Sequence, residues 1–142
     1  MPALEKSRRE INEIFVHCTA TRAGRQVSVA EIDSWHRQRG FSLIGYHYVV
    51  ALDGSVFPGR SPHLAGAHCL GHNSKSIAVV YVGGLDSTGQ PADTRTDAQK
   101  AALIYLLKAL RDMYPHARIR SHRDFAAKDC PCFDATAEYA AL

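Results

Sequence analysis

Residues 77–84 read IAVVYVGG, a run without a single charge. At this length it is too short to cross a bilayer, which takes about 20 apolar residues. It has the composition of a strand covered on both faces, the kind found inside sheets that carry helices on each side. A chain holding such a strand must supply those helices and further strands around it. The remaining sequence does so in alternation.

NEIFVHCT, residues 12–19, is a second apolar run of strand length. SVAE at 28–31 has the pattern of a capping box, with Ser28 as N-cap and Glu31 reaching back, and it opens a helix that should stop at Gly40. YHYVVAL at 46–52 is β-branched and aromatic, and Asp53-Gly54 marks a hairpin turn before SVF at 55–57. TDAQ at 96–99 is a second capping box, opening a helix to about Tyr114 with Leu103, Leu106, Leu107 and Leu110 along one stripe and Pro115 ending it. ARIRS, 117–121, reads as a short strand. With 142 residues, no repeats and no linker, the chain predicts one mixed α/β domain.

Composition narrows the function. The net charge of +3 suits an anionic partner, but the basic residues are scattered apart from Lys6, Arg8 and Arg9, which read as a short exposed arm. Nucleic-acid binding and membrane insertion are therefore not expected. MPALEKSRRE lacks an apolar segment after its charges, so it does not read as a secretory signal, and synthesis in the cytoplasm is the expectation. In that compartment Cys18, Cys69, Cys130 and Cys132 are expected as reduced thiols or metal ligands.

The loop SHRDFAAKDCP, 121–131, sets a histidine and a cysteine eight positions apart just after a strand. A catalytic zinc site takes three protein ligands and leaves a fourth position open. His122 and Cys130 supply two of the three, and His17, at the end of the first strand, fits as the third. Side chains alternate along a strand, so His17 facing such a site would send Cys18 into the core. By spacing alone, a dispersed set of this kind is a weak signal, and these three residues read more readily as ordinary loop and core positions.

FVHCTAT, GYHYVVALDGSVFPGR, LAGAHCLGHNSKSIAVVYVGG, TDAQKAAL and SHRDFAAKDCPCFD, in this order, resemble the zinc-dependent N-acetylmuramoyl-L-alanine amidases. Within them the chain is most similar to the small amidase-type phage lysozymes, which are related to animal peptidoglycan recognition proteins. The resemblance covers residues 11–142 and leaves residues 1–10 as a flexible arm. It implies a single α/β domain with a central mixed β-sheet flanked by helices. It also implies one Zn2+ per chain on His17, His122 and Cys130, with Tyr46 and Lys128 as catalytic residues. His68 and Asn73 match the groove-lining loop, where His68 reads either as a substrate contact or as a structural histidine. Recycling amidases use aspartate as the third ligand, so Cys130 is a phage-type trait. Cys132 departs from the serine common in that type.

The implied function is hydrolysis of the amide between N-acetylmuramic acid and L-alanine in peptidoglycan, by a monomer. It would act as an endolysin in the periplasm after another protein has permeabilised the membrane. Two alternatives accompany it. One is a peptidoglycan-binding protein without catalysis, a class that typically loses the cysteine ligand. The other is a lysin that also inhibits a phage RNA polymerase. Four other positions read as structural: His36 and Trp35 on the first helix, His47 alternating with Tyr46, and Cys69 as a small apolar residue.

Overall fold

A computed structural model describes all residues, 1–142. In chain order the elements are β1 (Glu13–Cys18), β2 (Thr21–Arg22), α1 (Val29–Gln38), β3 (Tyr48–Val50), β4 (Val56–Pro58), β5 (Ser76–Tyr81), β6 (Gly84–Leu85), α2 (Asp97–Met113), β7 (Arg118–Ser121) and α3 (Ala135–Glu138). The main sheet runs β4-β3-β5-β1-β7. β1 pairs in parallel with β5 and β7, β3 pairs in parallel with β5, and only the edge strand β4 is antiparallel. β5 contains the IAVVY run and is buried at every position. No helix is long and apolar enough to cross a membrane.

The two faces are covered by different helices. Leu103, Leu106, Leu107 and Leu110 of α2 join Ile14, Val16 and Cys18 of β1 and Ile77, Val79 and Tyr81 of β5 in one core. On the other face, Ile32 of α1 packs with Val49 and Val80, and half-buried Trp35 lies against them. Strand alternation thus sends Cys18 toward α2 and His17 to the opposite face.

Thr96 and Gln99 complete a reciprocal capping box on α2. On α1, Ser28 accepts the Glu31 N–H at 3.1 Å, but the Glu31 carboxylate takes Arg25 at 2.6 Å instead of reaching back. The strand expected over 46–52 is confined to Tyr48–Val50, which leaves Tyr46 and His47 in the loop before it. β2, β6 and α3 were not expected from the sequence, and each is too short to carry a periodicity. The end of the arm is also tied down. Ser7 is buried, and the Arg9 guanidinium donates to the carbonyls of Pro62, Asn73, Ser74 and Ser76.

Arg95 joins distant parts of the chain. Its side chain is 2% exposed. It pairs with both oxygens of Asp93 at 2.9 and 2.8 Å and both oxygens of Glu138 at 2.6 and 2.9 Å, donates to the Tyr139 hydroxyl at 2.8 Å, and lies 3.4 Å over the Phe133 ring. The C-terminal segment after Cys130 is thereby fastened to the N-terminus of α2. The Asp93 and Glu138 side chains are 34% and 46% exposed, so water compensates them once the guanidinium is removed, and the loss is that of hydrogen bonds to charged groups, about 1.5–3 kcal/mol. Arg95→Ala should lower the urea-unfolding free energy by that amount, and a loss under about 1 kcal/mol would show that the cluster is a passive surface feature.

Candidate active site

The site is built on the face of the sheet that α1 covers. β1 ends at Cys18 and β7 at Ser121, and they pair in register with Val16 opposite Ser121. This places His17 beside His122, the first residue after β7, with ring centroids 4.5 Å apart. The loop after His122 returns Cys130 to the same point. The Arg123 N–H donates to the Cys130 carbonyl at 2.8 Å, and the Tyr81 hydroxyl donates to the Pro131 carbonyl at 2.6 Å. The Cys130–Pro131 peptide is cis.

Donor atoms of His17, His122 and Cys130 all lie within 4.8 Å of one another. Cys130 Sγ is 3.7 Å from His17 Nδ1 and accepts the Cys18 N–H at 3.2 Å. His122 Nδ1 is buried with no hydrogen-bond partner. A buried imidazole nitrogen left bare, beside a second imidazole and a thiol, is the arrangement a soft-to-borderline cation such as zinc takes up. The residues therefore fit zinc. Both rings are held neutral, as ligands must be. Burial pushes the pKa of His17 well down, helped by His68 and His122, and burial together with the Lys128 charge lowers that of His122.

Tyr46 and Lys128 line the same cavity of about 390 Å³ as His122, together with His36, Arg39, Phe41, Leu70 and Asn73. The Tyr46 ring stands 5.0 Å from that of His17. Burial, with the nearby Cys130 and Cys18 thiols, raises the Tyr46 pKa, so the phenol stays protonated at neutral pH. Its loop is locked by close approach: a Cβ on Gly45 would meet the Ala67 carbonyl oxygen at 2.1 Å, and the Gly45 N–H donates to His36 Nδ1 at 2.8 Å.

The structure separates other residues from the centre. Cys132 Sγ points at Cys18 Sγ, 3.8 Å away, and not toward the two histidines. All four cysteines are free. His68 touches the cavity, but both ring nitrogens are engaged: Nδ1 with His17 Nε2 at 2.9 Å and Nε2 with Ser76 Oγ at 2.8 Å. Asn73 Oδ1 is occupied by the N–H groups of His68 and Cys69, at 2.9 and 3.0 Å. Of the two residues expected to contact substrate, His68 thus has both ring nitrogens committed to β1 and β5, and Asn73 has its Oδ1 committed to the loop itself. The sequence reading missed Arg39, stacked 5.0 Å over Phe41, and Leu70, 96% exposed at the rim. An exposed leucine in a Gly- and His-rich loop is the only local signal for either.

His47 is buried away from the donors. Its Nδ1 accepts the Ala78 N–H at 3.0 Å, and its Nε2 donates to the Leu64 carbonyl at 2.9 Å. The neutral ring is fully used. Burial lowers its pKa from 6.5 to about 4, with Arg9 and Arg60 adding to the effect. The native state therefore refuses a proton that the unfolded chain accepts. His47's contribution is intact above pH about 6.5 and drains away as pH falls toward 4, by roughly 3 kcal/mol. Urea titrations between pH 7 and 4 should show a shallower acid slope for His47→Gln than for wild type; equal slopes would exclude His47 as the source.

Comparison with known proteins identifies the family. Residues 7–133 match the family described as N-acetylmuramoyl-L-alanine amidase. The endolysin of Enterobacteria phage K11 is 44% identical over 127 residues, which span 89% of this chain and 84% of that protein. The endolysin of Escherichia phage T7 is 41% identical over 129 residues, 91% of this chain and 85% of the relative. Among solved structures, the N-acetylmuramoyl-L-alanine amidase LysC from Clostridium intestinale URNW superposes with a TM-score of 0.78 at 27% identity, covering 92% of this chain and 83% of that one. With its match running from the buried Ser7 through the Cys130 loop, this chain belongs to the N-acetylmuramoyl-L-alanine amidase family.

Proposed function

We propose that this amidase is a zinc-dependent endolysin that cuts the amide between the muramic lactyl group and L-alanine in peptidoglycan, with His17, His122 and Cys130 as metal ligands. The observation that carries the reading is the convergence of these three donors, one of them a bare buried Nδ1, on a groove that Tyr46 and Lys128 also line. Zinc, when bound, polarises the scissile carbonyl and lowers the pKa of a water toward about 7.

The chain's own groups do the rest. Lys128, two residues before Cys130, brings positive charge to the oxyanion that develops as the carbonyl becomes tetrahedral. Tyr46 enters as a donor: its hydroxyl orients the attacking water and relays a proton to the departing alanine nitrogen. Arg39, Phe41 and Leu70 extend the groove wall with a cation on an aromatic face and an apolar rim, features suited to a glycan-linked peptide. The wall polymer is the partner this groove serves.

Digestion of purified sacculi should release muramic lactyl carboxyls and new alanine amino termini, without new reducing sugar ends. Reducing ends would require a carboxylate pair of the glycosidase type and would sink the amidase assignment. Tyr46→Phe and Lys128→Ala should each keep one zinc per chain yet lose about a hundredfold or more in turnover. Wild-type lysis by both variants would reduce them to scaffold residues.

A further inference from the structure

The polar chain behind His17 fixes which of its nitrogens carries a proton. Ser76 is fully buried, and its hydroxyl proton is committed to the His72 carbonyl, 2.7 Å away, because a carbonyl can only accept. Ser76 Oγ must therefore accept from His68 Nε2, at 2.8 Å. A neutral imidazole carries one proton, so His68 Nδ1 is left as an acceptor. It faces His17 Nε2 at 2.9 Å, and that nitrogen must donate. The proton of His17 is thereby pinned on Nε2, and its Nδ1 lone pair is left aimed at the Cys130 sulfur, 3.7 Å away.

We propose that His68 and Ser76 are positioning residues that hold His17 in the Nε2–H tautomer and so set its Nδ1 as the ligand to the metal. The inference rests on the reading of His17 as a zinc ligand and deepens it. A partner on the far nitrogen fixes both the tautomer and the ring plane of a ligating histidine, and its loss commonly weakens metal affinity 10- to 100-fold. Direction matters here. If Ser76 could not hold the His68 proton on Nε2, His68 would be free to place it on Nδ1, toward His17. His17 would then have to accept through Nε2 and carry its own proton on Nδ1, the nitrogen the metal needs. Ser76, whose side chain makes no contact with the ligand set, therefore reaches the centre through the order of three hydrogen bonds.

The position of Ser76 is itself controlled. It opens β5 directly after the 3₁₀ turn Asn73–Lys75, and the Arg9 guanidinium donates to its carbonyl at 3.1 Å. Asn73 holds the backbone N–H of His68. Both ends of the His68–Ser76 link are thus anchored to backbone, as a device that sets ring orientation requires.

Two measurements on zinc-loaded protein test this. The long-range 1H–15N spectrum of wild type should show His17 protonated on Nε2 and metal-bound through Nδ1; the reverse assignment overturns the proposal at once. In chelator competition, His68→Leu and Ser76→Ala should weaken zinc binding 10- to 100-fold. His68→Asn can place an amide oxygen near the lost Nδ1 acceptor, so it should recover affinity to within about threefold of wild type. Thermal melts and the Ser76→Ala variant guard against a His68→Leu chain that misfolds. If His68→Leu and Ser76→Ala fold and hold zinc as tightly as wild type, the positioning role is excluded while the ligand reading stands. If wild type itself holds no zinc, or His17→Ala keeps it, the ligand reading fails and takes this proposal with it.

Discussion

Placing an imidazole inside a parallel sheet is the constraint on which the rest of this structure depends. β1 lies between β5 and β7, and every residue it carries after Glu13 is buried on one face or the other. His17 is fully buried there. A buried polar group without partners costs on the order of 1–3 kcal/mol, so the surrounding loops must bring partners to both ring nitrogens. Nε2 is met by His68 and Nδ1 faces the Cys130 sulfur. The two loops that look most irregular in sequence, 58–75 and 122–134, are thus the ones that complete the core around a strand residue.

The same burial sets the electrostatics. His17 and His122 are all kept neutral, together with His68, whose pKa falls to about 3 mainly through burial and then through His47 and His122. Tyr46 stays protonated for the converse reason, because a phenolate is the charged form that burial disfavours. In a centre of neutral rings, the fixed charge near the donors comes from Lys128. That division suits the proposed reaction, in which negative charge would appear on substrate beside Lys128 while the neutral rings keep lone pairs for a ligand.

Much of the scaffold was legible in local sequence, because its signals are local. The Thr96–Gln99 capping box, the Asp53-Gly54 turn, the leucine stripe of α2 and the two apolar strands each rest on residues within a few positions of one another. Alternation alone assigned His17 and Cys18 to opposite faces. The sequence did not show which partners would be recruited across long separations. Arg95 meets Glu138 43 positions away, and Arg9 meets Pro62 53 positions away. The resemblance to a family named His68 as a groove residue, but only the hydroxyl of Ser76 and the carbonyl of His72 reveal that its ring is already used. The expected loose arm failed on the same ground, since what holds Arg9 is a set of backbone carbonyls, which no side-chain pattern records.

These long-range ties share a design. Arg9 gathers carbonyls at the foot of β5 and fastens the 58–75 loop, while Arg95 gathers carboxylates just before α2 and fastens α3, which follows the 122–134 loop. Guanidinium suits the task because its planar fork offers five donors and can satisfy several acceptors at once. Carbonyls and carboxylates left in a loop by irregular backbone need such a multivalent donor more than they need apolar packing. Between the two clamps, Gly45 lets the Tyr46 turn lie against Ala67 with no room for a side chain. The groove wall at Tyr46 is therefore fixed by backbone contact. The groove's rim residues, Leu70 and Arg39, are left exposed to solvent.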